Sequence, residues 1–199
     1  MSTRNQTSLP RLLTALVVVA LLLPAVAFAG HDEKIEYKFV GFGTNPDFYG
    51  IHLQDEIAGD SLLVFQVGTP TPIASYPLEG TSLSKALKSA EIAPYALTDK
   101  GITGETAEQG YTLVGKTFGA QFQLSLKMGA EEGTLGYVAV VSDPTRTEYA
   151  AIKVKSVHWT KDGTRVVVIL NQKLGGEWPM DSDTLAAYSL AAPAPAPAP

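Results

Sequence analysis

Residues 166–170 (VVVIL) are an uninterrupted apolar run. Five consecutive apolar side chains, four of them β-branched, leave no wet face, so they predict a strand buried on both sides. This run is the second arm of a hairpin over residues 151–170, whose Asp162-Gly163 supplies the positive φ angles of a tight turn. In the first arm Ile152 and Val154 alternate with Lys153 and Lys155, but the apolar phase then moves to Val157 and Trp159. A bulge near Ser156 would account for the shift. The cleanest alternation lies in residues 121–128, with Phe122, Leu124, Leu126 and Met128 on one face and Gln121, Gln123, Ser125 and Lys127 on the other. It predicts half-buried antiparallel sheet.

Further strands are predicted over 36–43, 48–54, 61–67, 73–78, 111–116, 135–141 and 184–190, with turns at 44–47, 130–133 and 142–144. Pro77 cannot donate to a ladder and puts the 73–78 strand at an edge. Only one segment shows helical spacing: Leu83, Ala86, Leu87 and Ala90 share a face behind Thr81 or Ser82 as N-cap, giving a short packed helix over about residues 82–92 that Pro94 ends. Residues 98–110 and 172–183 are polar and glycine-bearing and are expected to be loops. The alternating alanine and proline of residues 191–199 extends as polyproline II and predicts a disordered tail. The fold class is therefore mainly β, an antiparallel sheet or sandwich with one helix, in a single domain over residues 30–190.

The first 29 residues have their own logic. Arg4 and Arg11 precede an uncharged run over residues 12–23, Pro24, and small residues at Ala27 and Ala29, the pattern of a signal peptide cut before Gly30. A dozen apolar residues fall short of the roughly 20 that span a bilayer, so a retained anchor is the weaker expectation. Cleavage leaves 170 residues with 13 basic and 20 acidic side chains, a formal charge of −7. That sign argues against nucleic acid and against anionic membrane surfaces. The chain contains no cysteine, which excludes disulfides, thiolate chemistry, cysteine-rich zinc and a lipoprotein anchor. The expected location is the periplasm or the exterior.

Candidate chemistry is sparse. Gly59-Asp60-Ser61-Leu62 resembles the four-letter signature of a family of serine esterases, which need a helix after the serine and a late Asp-x-x-His. Here Ser61 opens a strand, and Lys155 stands where the acid before His158 should be. A hydrolase would have to use Ser61 with His52 or His158, neither of which has metal-ligand or triad spacing nearby. Acids gather as Asp55, Glu56 and Asp60 and again as Glu177, Asp181 and Asp183. The second group suits a calcium-dependent envelope module, although it lacks the glycine and distal glutamate of a calcium loop. Trp178, Glu177, Phe48 and Tyr49 are candidates for contact with a partner protein or small ligand, Trp178 either anchoring it or capping the sheet.

Two stretches carry a resemblance. Val40-Gly41-Phe42 with Asn45-Pro46-Asp47-Phe48, and Trp159 with Asp162-Gly163 and residues 166–170, resemble the strand-turn-strand units of exported β-propellers. Two such units cannot close a propeller, which needs at least about four blades. The layout from residue 36 to 190, ending in a loop with Gly175-Gly176-Glu177, is similar to a family of bacterial predicted secreted proteins of unknown function. That resemblance implies export and a β-rich fold. Together these observations predict an exported, non-catalytic protein that binds a partner or ligand through loops at one end of a sheet.

Overall fold

The computed structural model describes residues 35–94, 110–118, 121–139, 151–174 and 180–190. The expected signal segment, the expected 142–144 turn, Glu177, Trp178 and the Pro-Ala stretch of residues 191–199 lie outside those residues. Within them the order is β1 (Ile35–Phe42), β2 (Phe48–Asp55), β3 (Ser61–Gln66), β4 (Ala74–Pro77), α1 (Leu83–Ser89), β5 (Thr112–Phe118), β6 (Gln121–Met128), β7 (Glu131–Ala139), β8 (Ala151–Trp159), β9 (Arg165–Leu174) and β10 (Met180–Ser189). The protein is mainly β, its ladders are antiparallel with one exception, and its one described helix is short.

β9 organises the packing. Val166 to Val168 and Leu170 are 0 % exposed and Ile169 is 1 % exposed, so both faces of the strand are dry. Alternate side chains serve different cores. Val166, Val168 and Leu170 pack with Leu113, Phe122, Leu124 and Leu126 of the three-stranded sheet β5-β6-β7, while Val167 packs with Tyr49, Ile51 and Phe65 of the N-terminal strands. β10 divides in the same way, Ala186 and Tyr188 facing the first core and Leu185 and Ala187 the second.

The N-terminal strands pair in the order β4-β3-β2-β1 and the C-terminal ones in the order β10-β9-β8. One pairing joins the two groups, Ile35 opposite Ser182, where β1 runs parallel to β10. Beyond it the sheet folds over on itself. Phe39 of β1 stacks on His158 of β8 at 4.2 Å between centroids and 14° between planes, although β10 and β9 separate those strands in the ladder. On the outer side of the N-terminal strands, Leu62 and Val64 receive Ala86 and Leu87 of α1 and Ile92. The result is four layers: helix, N-terminal meander, central β8-β9-β10 sheet and three-stranded sheet.

Local details refine the expectations from sequence. The bulge in β8 lies between Val154 and Ser156, making Lys155 the extra residue. The Asp162-Gly163 turn is wider than a two-residue hairpin. Thr160 N bonds Arg165 O at 3.0 Å, Gly163 takes φ 67°, and the Asp162 carboxylate accepts from Thr164 N at 3.0 Å. The helix starts at its Ser82 cap but ends at Ala90, before Pro94, because Glu91 turns left-handed at φ 55° and returns Ile92 to pair with Gly43. The expected 130–133 turn is instead a tight turn at Gly129-Ala130, Gly129 supplying φ 59°, with β7 beginning at Glu131. The largest difference concerns residues 172–183. They were expected as loop, yet Gln172 pairs with Ser182, Lys173 with Asp181 and Leu174 with Met180, so only residues 175–179 lie between the strands.

Two substitutions separate packing from polar terms. Leu170→Ala should cost about 2–5 kcal/mol in urea denaturation, since the doubly enclosed site cannot collapse around the cavity. Tyr188→Phe should be neutral or stabilising, because its hydroxyl is buried without a hydrogen-bond partner among the described residues. A loss above about 1 kcal/mol for Tyr188→Phe would contradict this packing.

Candidate functional site

The Ile35–Ser182 pairing brings both acidic segments of the sequence to one end of the molecule. β2 ends there at Asp55, opposite Ile35, and β3 begins there at Ser61. On the other side of the junction are the start of β10 and the end of β9. This end is polar, and its groups are organised around Asp183.

Asp183 stands opposite Asn171 and is 8 % exposed, with its side chain at 2 %. One carboxylate oxygen accepts from Lys155 Nζ at 2.6 Å and from the Tyr37 backbone N–H at 2.9 Å; the other accepts from Asn171 Nδ2 at 3.1 Å. A side-chain oxygen thus takes a β1 amide just where the β1–β10 ladder stops. Lys155 reaches Asp183 because the bulge re-aims it, and its ammonium also bonds Glu36 Oε1 at 3.2 Å. Partial burial disfavours that ammonium, but Asp183 and Glu36 outweigh it and hold the pKa above the ordinary lysine value. Asn171 extends the network to Asp181 at 2.6 Å, and Lys173 bonds the other Asp181 oxygen at 2.8 Å. The Lys173 pair is exposed and contributes little.

Glu36 also lines a cleft of about 220 Å³ with Gln54, Asp55, Glu56 and Asp60. Glu36 and Gln54 are cross-strand partners, and the loop residues follow directly from the end of β2. The loop's shape comes from Asp55, whose Oδ1 accepts from the N–H groups of Ile57 and Ala58 at 2.9 Å each, and from Gly59 at φ 83°. Asp60 closes the cleft by bonding His52 Nε2 at 3.0 Å. Four acidic residues therefore line one small cleft, with Glu36 bonded to Lys155, Asp55 to the amides of its own loop and Asp60 to His52.

Compared with protein-family models, with curated proteins and with solved structures, the chain matches none.

The residues singled out from sequence scatter. Tyr49 is corrected from a contact candidate to a core residue: it is 1 % exposed and stacked on Phe65 at 5.4 Å between the two sheets. Its place next to a turn suggested exposure, but strand alternation points it inward with Ile51. Phe48 is half-buried at the start of β2, the opposite end of that strand from Asp55. Asp181 and Asp183 do project to one side, but Asn171, Lys155 and Lys173 engage them. Among the described residues no group of three or more histidine and acidic side chains is placed to hold a metal ion.

Ser61 forms no hydrogen bond with either histidine among the described residues. It alternates with Leu63 and Phe65 toward the inner core, whereas His52 lies opposite Leu62 on the outer face and is held by Asp60. His158 lies between the sheets, its Nε2 at 2.9 Å from Ser156 Oγ, and burial pushes its pKa down to about 4. Glu36, Gln54, Lys155 and Asn171 were not identified from sequence. The shift of apolar phase near Ser156 was the one signal that bore on them.

Two measurements follow. Asp183→Ala should cost about 1–3 kcal/mol, since it leaves the Tyr37 and Asn171 donors without this acceptor while Lys155 keeps Glu36. For His158 the folded pKa lies below that of the unfolded chain, so the folded state binds fewer protons and stability falls as pH drops through the window from 6.5 to about 4. The contribution approaches about 3 kcal/mol at the acid end. His158→Phe should remove that component, seen as a shallower acid limb in urea midpoints measured against pH. Identical limbs for the two proteins would contradict the burial of a neutral ring.

Proposed function

We propose that this is an exported, non-catalytic binding protein of the bacterial envelope, engaging a partner protein or small ligand through loops at one end of its sheet. The observation that carries this reading is the cleft at the polar end, in which Glu36, Asp55, Glu56 and Asp60 converge from strand and loop. A cleft lined by four acidic residues favours a cationic group, such as a lysine or arginine side chain or a polyamine, over anions or neutral apolar ligands. The signal-peptide pattern of the first 29 residues supports location outside the cytoplasm. The opposite facing of Ser61 and His52 gives the hydrolase alternative no support.

The test is an NMR titration of the chain with a short oligolysine peptide. Shifts should concentrate at Glu36 and the 54–61 segment. The triple variant Asp55→Asn, Glu56→Gln, Asp60→Asn should weaken binding by about tenfold or more, as expected for losing close charge pairs. A control triple, Glu79→Gln, Glu91→Gln, Glu131→Gln, should leave it within about twofold. Equal loss in both triples, or shifts spread over the whole surface, would mean nonspecific attraction to net charge and would defeat the reading.

A further inference from the structure

Four large apolar side chains are exposed among the described residues: Ile57, in the loop of the polar end, and Ile73, Phe118 and Tyr137. The two aromatic ones share a face. In the three-stranded sheet, Phe122, Leu124 and Leu126 point into the core, so Gln121 and Gln123 point out, with Ser125 beneath Gln123 at 1 % exposure. Phe118 lies opposite Gln121 on one side, and Tyr137 lies opposite Gln123 on the other. Tyr137 reaches this face because of a bulge. The register of β6 with β7 slips at Leu124/Ser125, so Leu135 and Gly136 both turn inward while Thr134 and Tyr137, three residues apart, both turn out.

We propose that this face is a second, independent binding surface that takes a neutral glycan chain laid across the strands. Phe118 is 56 % and Tyr137 49 % exposed, which leaves about half of each aromatic residue available to the polarised C–H groups of a sugar ring. The floor between the rings is polar and already ordered. The Gln123 amide donates to the buried Ser125 Oγ at 3.1 Å and to the exposed Thr134 Oγ1 at 2.6 Å, which fixes Gln123 and Thr134 where sugar hydroxyls would meet them. Such preorganisation lowers the entropic cost of binding, and the core behind the sheet keeps it rigid.

The charges select the ligand class. Lys116 and Glu132 pair at 3.0 Å and cancel, and Lys127 stands at the far end of β6 from the rings. The region around the rings is therefore neutral on a chain of formal charge −5. A basic partner would be drawn to the acidic cleft instead. An apolar protein surface would bury Gln123, Thr134 and the Lys116–Glu132 pair without compensating them. A hydroxyl-rich neutral chain meets both the rings and the amides. One intervening strand and a two-residue offset separate the rings' Cα atoms by about 12 Å, which a short oligosaccharide bridges and a single sugar does not.

The test is affinity electrophoresis of the chain in native gels containing soluble β-glucan, galactomannan or starch, with polygalacturonate as the acidic comparison. Retardation is expected in at least one neutral polysaccharide. Tyr137→Ala should weaken it by about fivefold, the worth of one aromatic contact, and Phe118→Ala with Tyr137→Ala should abolish it. Both positions are exposed, so circular dichroism and urea midpoints should stay at the wild-type values. The variant Asp55→Asn with Asp60→Asn should be retarded as wild type, which separates this surface from the acidic cleft. Any of four results overturns the proposal: no retardation in any neutral gel, retardation in polygalacturonate alone, retardation that survives the double substitution, or a double variant that changes the sedimenting species from dimer to monomer.

Discussion

A strand with no wet face needs a layer on each side, and that requirement shapes this molecule. Residues 166–170 remove five side chains from water at once, and neither β8 nor β10 can cover them, because neighbours in a sheet lie beside a strand and not above it. One cover is the three-stranded sheet, presented through the alternation of β6. The other is the N-terminal meander, folded back so that Tyr49, Ile51 and Phe65 meet Val167. Each buried Val or Leu contributes about 1.5–3 kcal/mol, which makes these contacts the main driving force for stacking the layers.

Folding back has a geometric cost at the β1–β10 junction. Parallel pairing there ends after Ile35 and Ser182, leaving the next β1 amide without a strand partner. Asp183 supplies the missing acceptor, Lys155 neutralises it, and Glu36 holds the outer side of the ammonium. The β8 bulge is part of the same solution, because it aims Lys155 at the junction and not along the regular face. The acidic cleft lies beside this cluster through Glu36, so the architecture of the corner and the chemistry of the candidate site share a residue.

Much of the fold was legible in the sequence because burial on one or two faces leaves a period. The β9 run, the β6 alternation, the helix behind Ser82, the edge position of Pro77 and the bulge in β8 all follow from local pattern and appear in the structure. What failed was the equation of polarity with loop. Gln172, Lys173, Asp181 and Asp183 look like a hydrophilic connection, yet they are paired strand residues, and Gln172 and Asp183 are buried and bonded to Thr184 and Asn171. Tyr49 failed for the converse reason, since proximity to a turn said nothing about which way the pleat would point it. Of the candidate site, Asp55, Glu56 and Asp60 were visible as a charged loop. Glu36 was not, because only cross-strand register with Gln54 and the reach of Lys155 bring it there.

The central claim is that β9 is the most protected element, held from both sides, with every other layer dependent on it. Native-state hydrogen exchange across a denaturant series tests this directly. The amides of residues 166–170 should exchange only through global unfolding, with opening free energies equal to the unfolding free energy, while β4 and the free edge of the three-stranded sheet open earlier. If the β9 amides exchange through a smaller opening while the N-terminal meander stays protected, the core is centred elsewhere and the account is wrong.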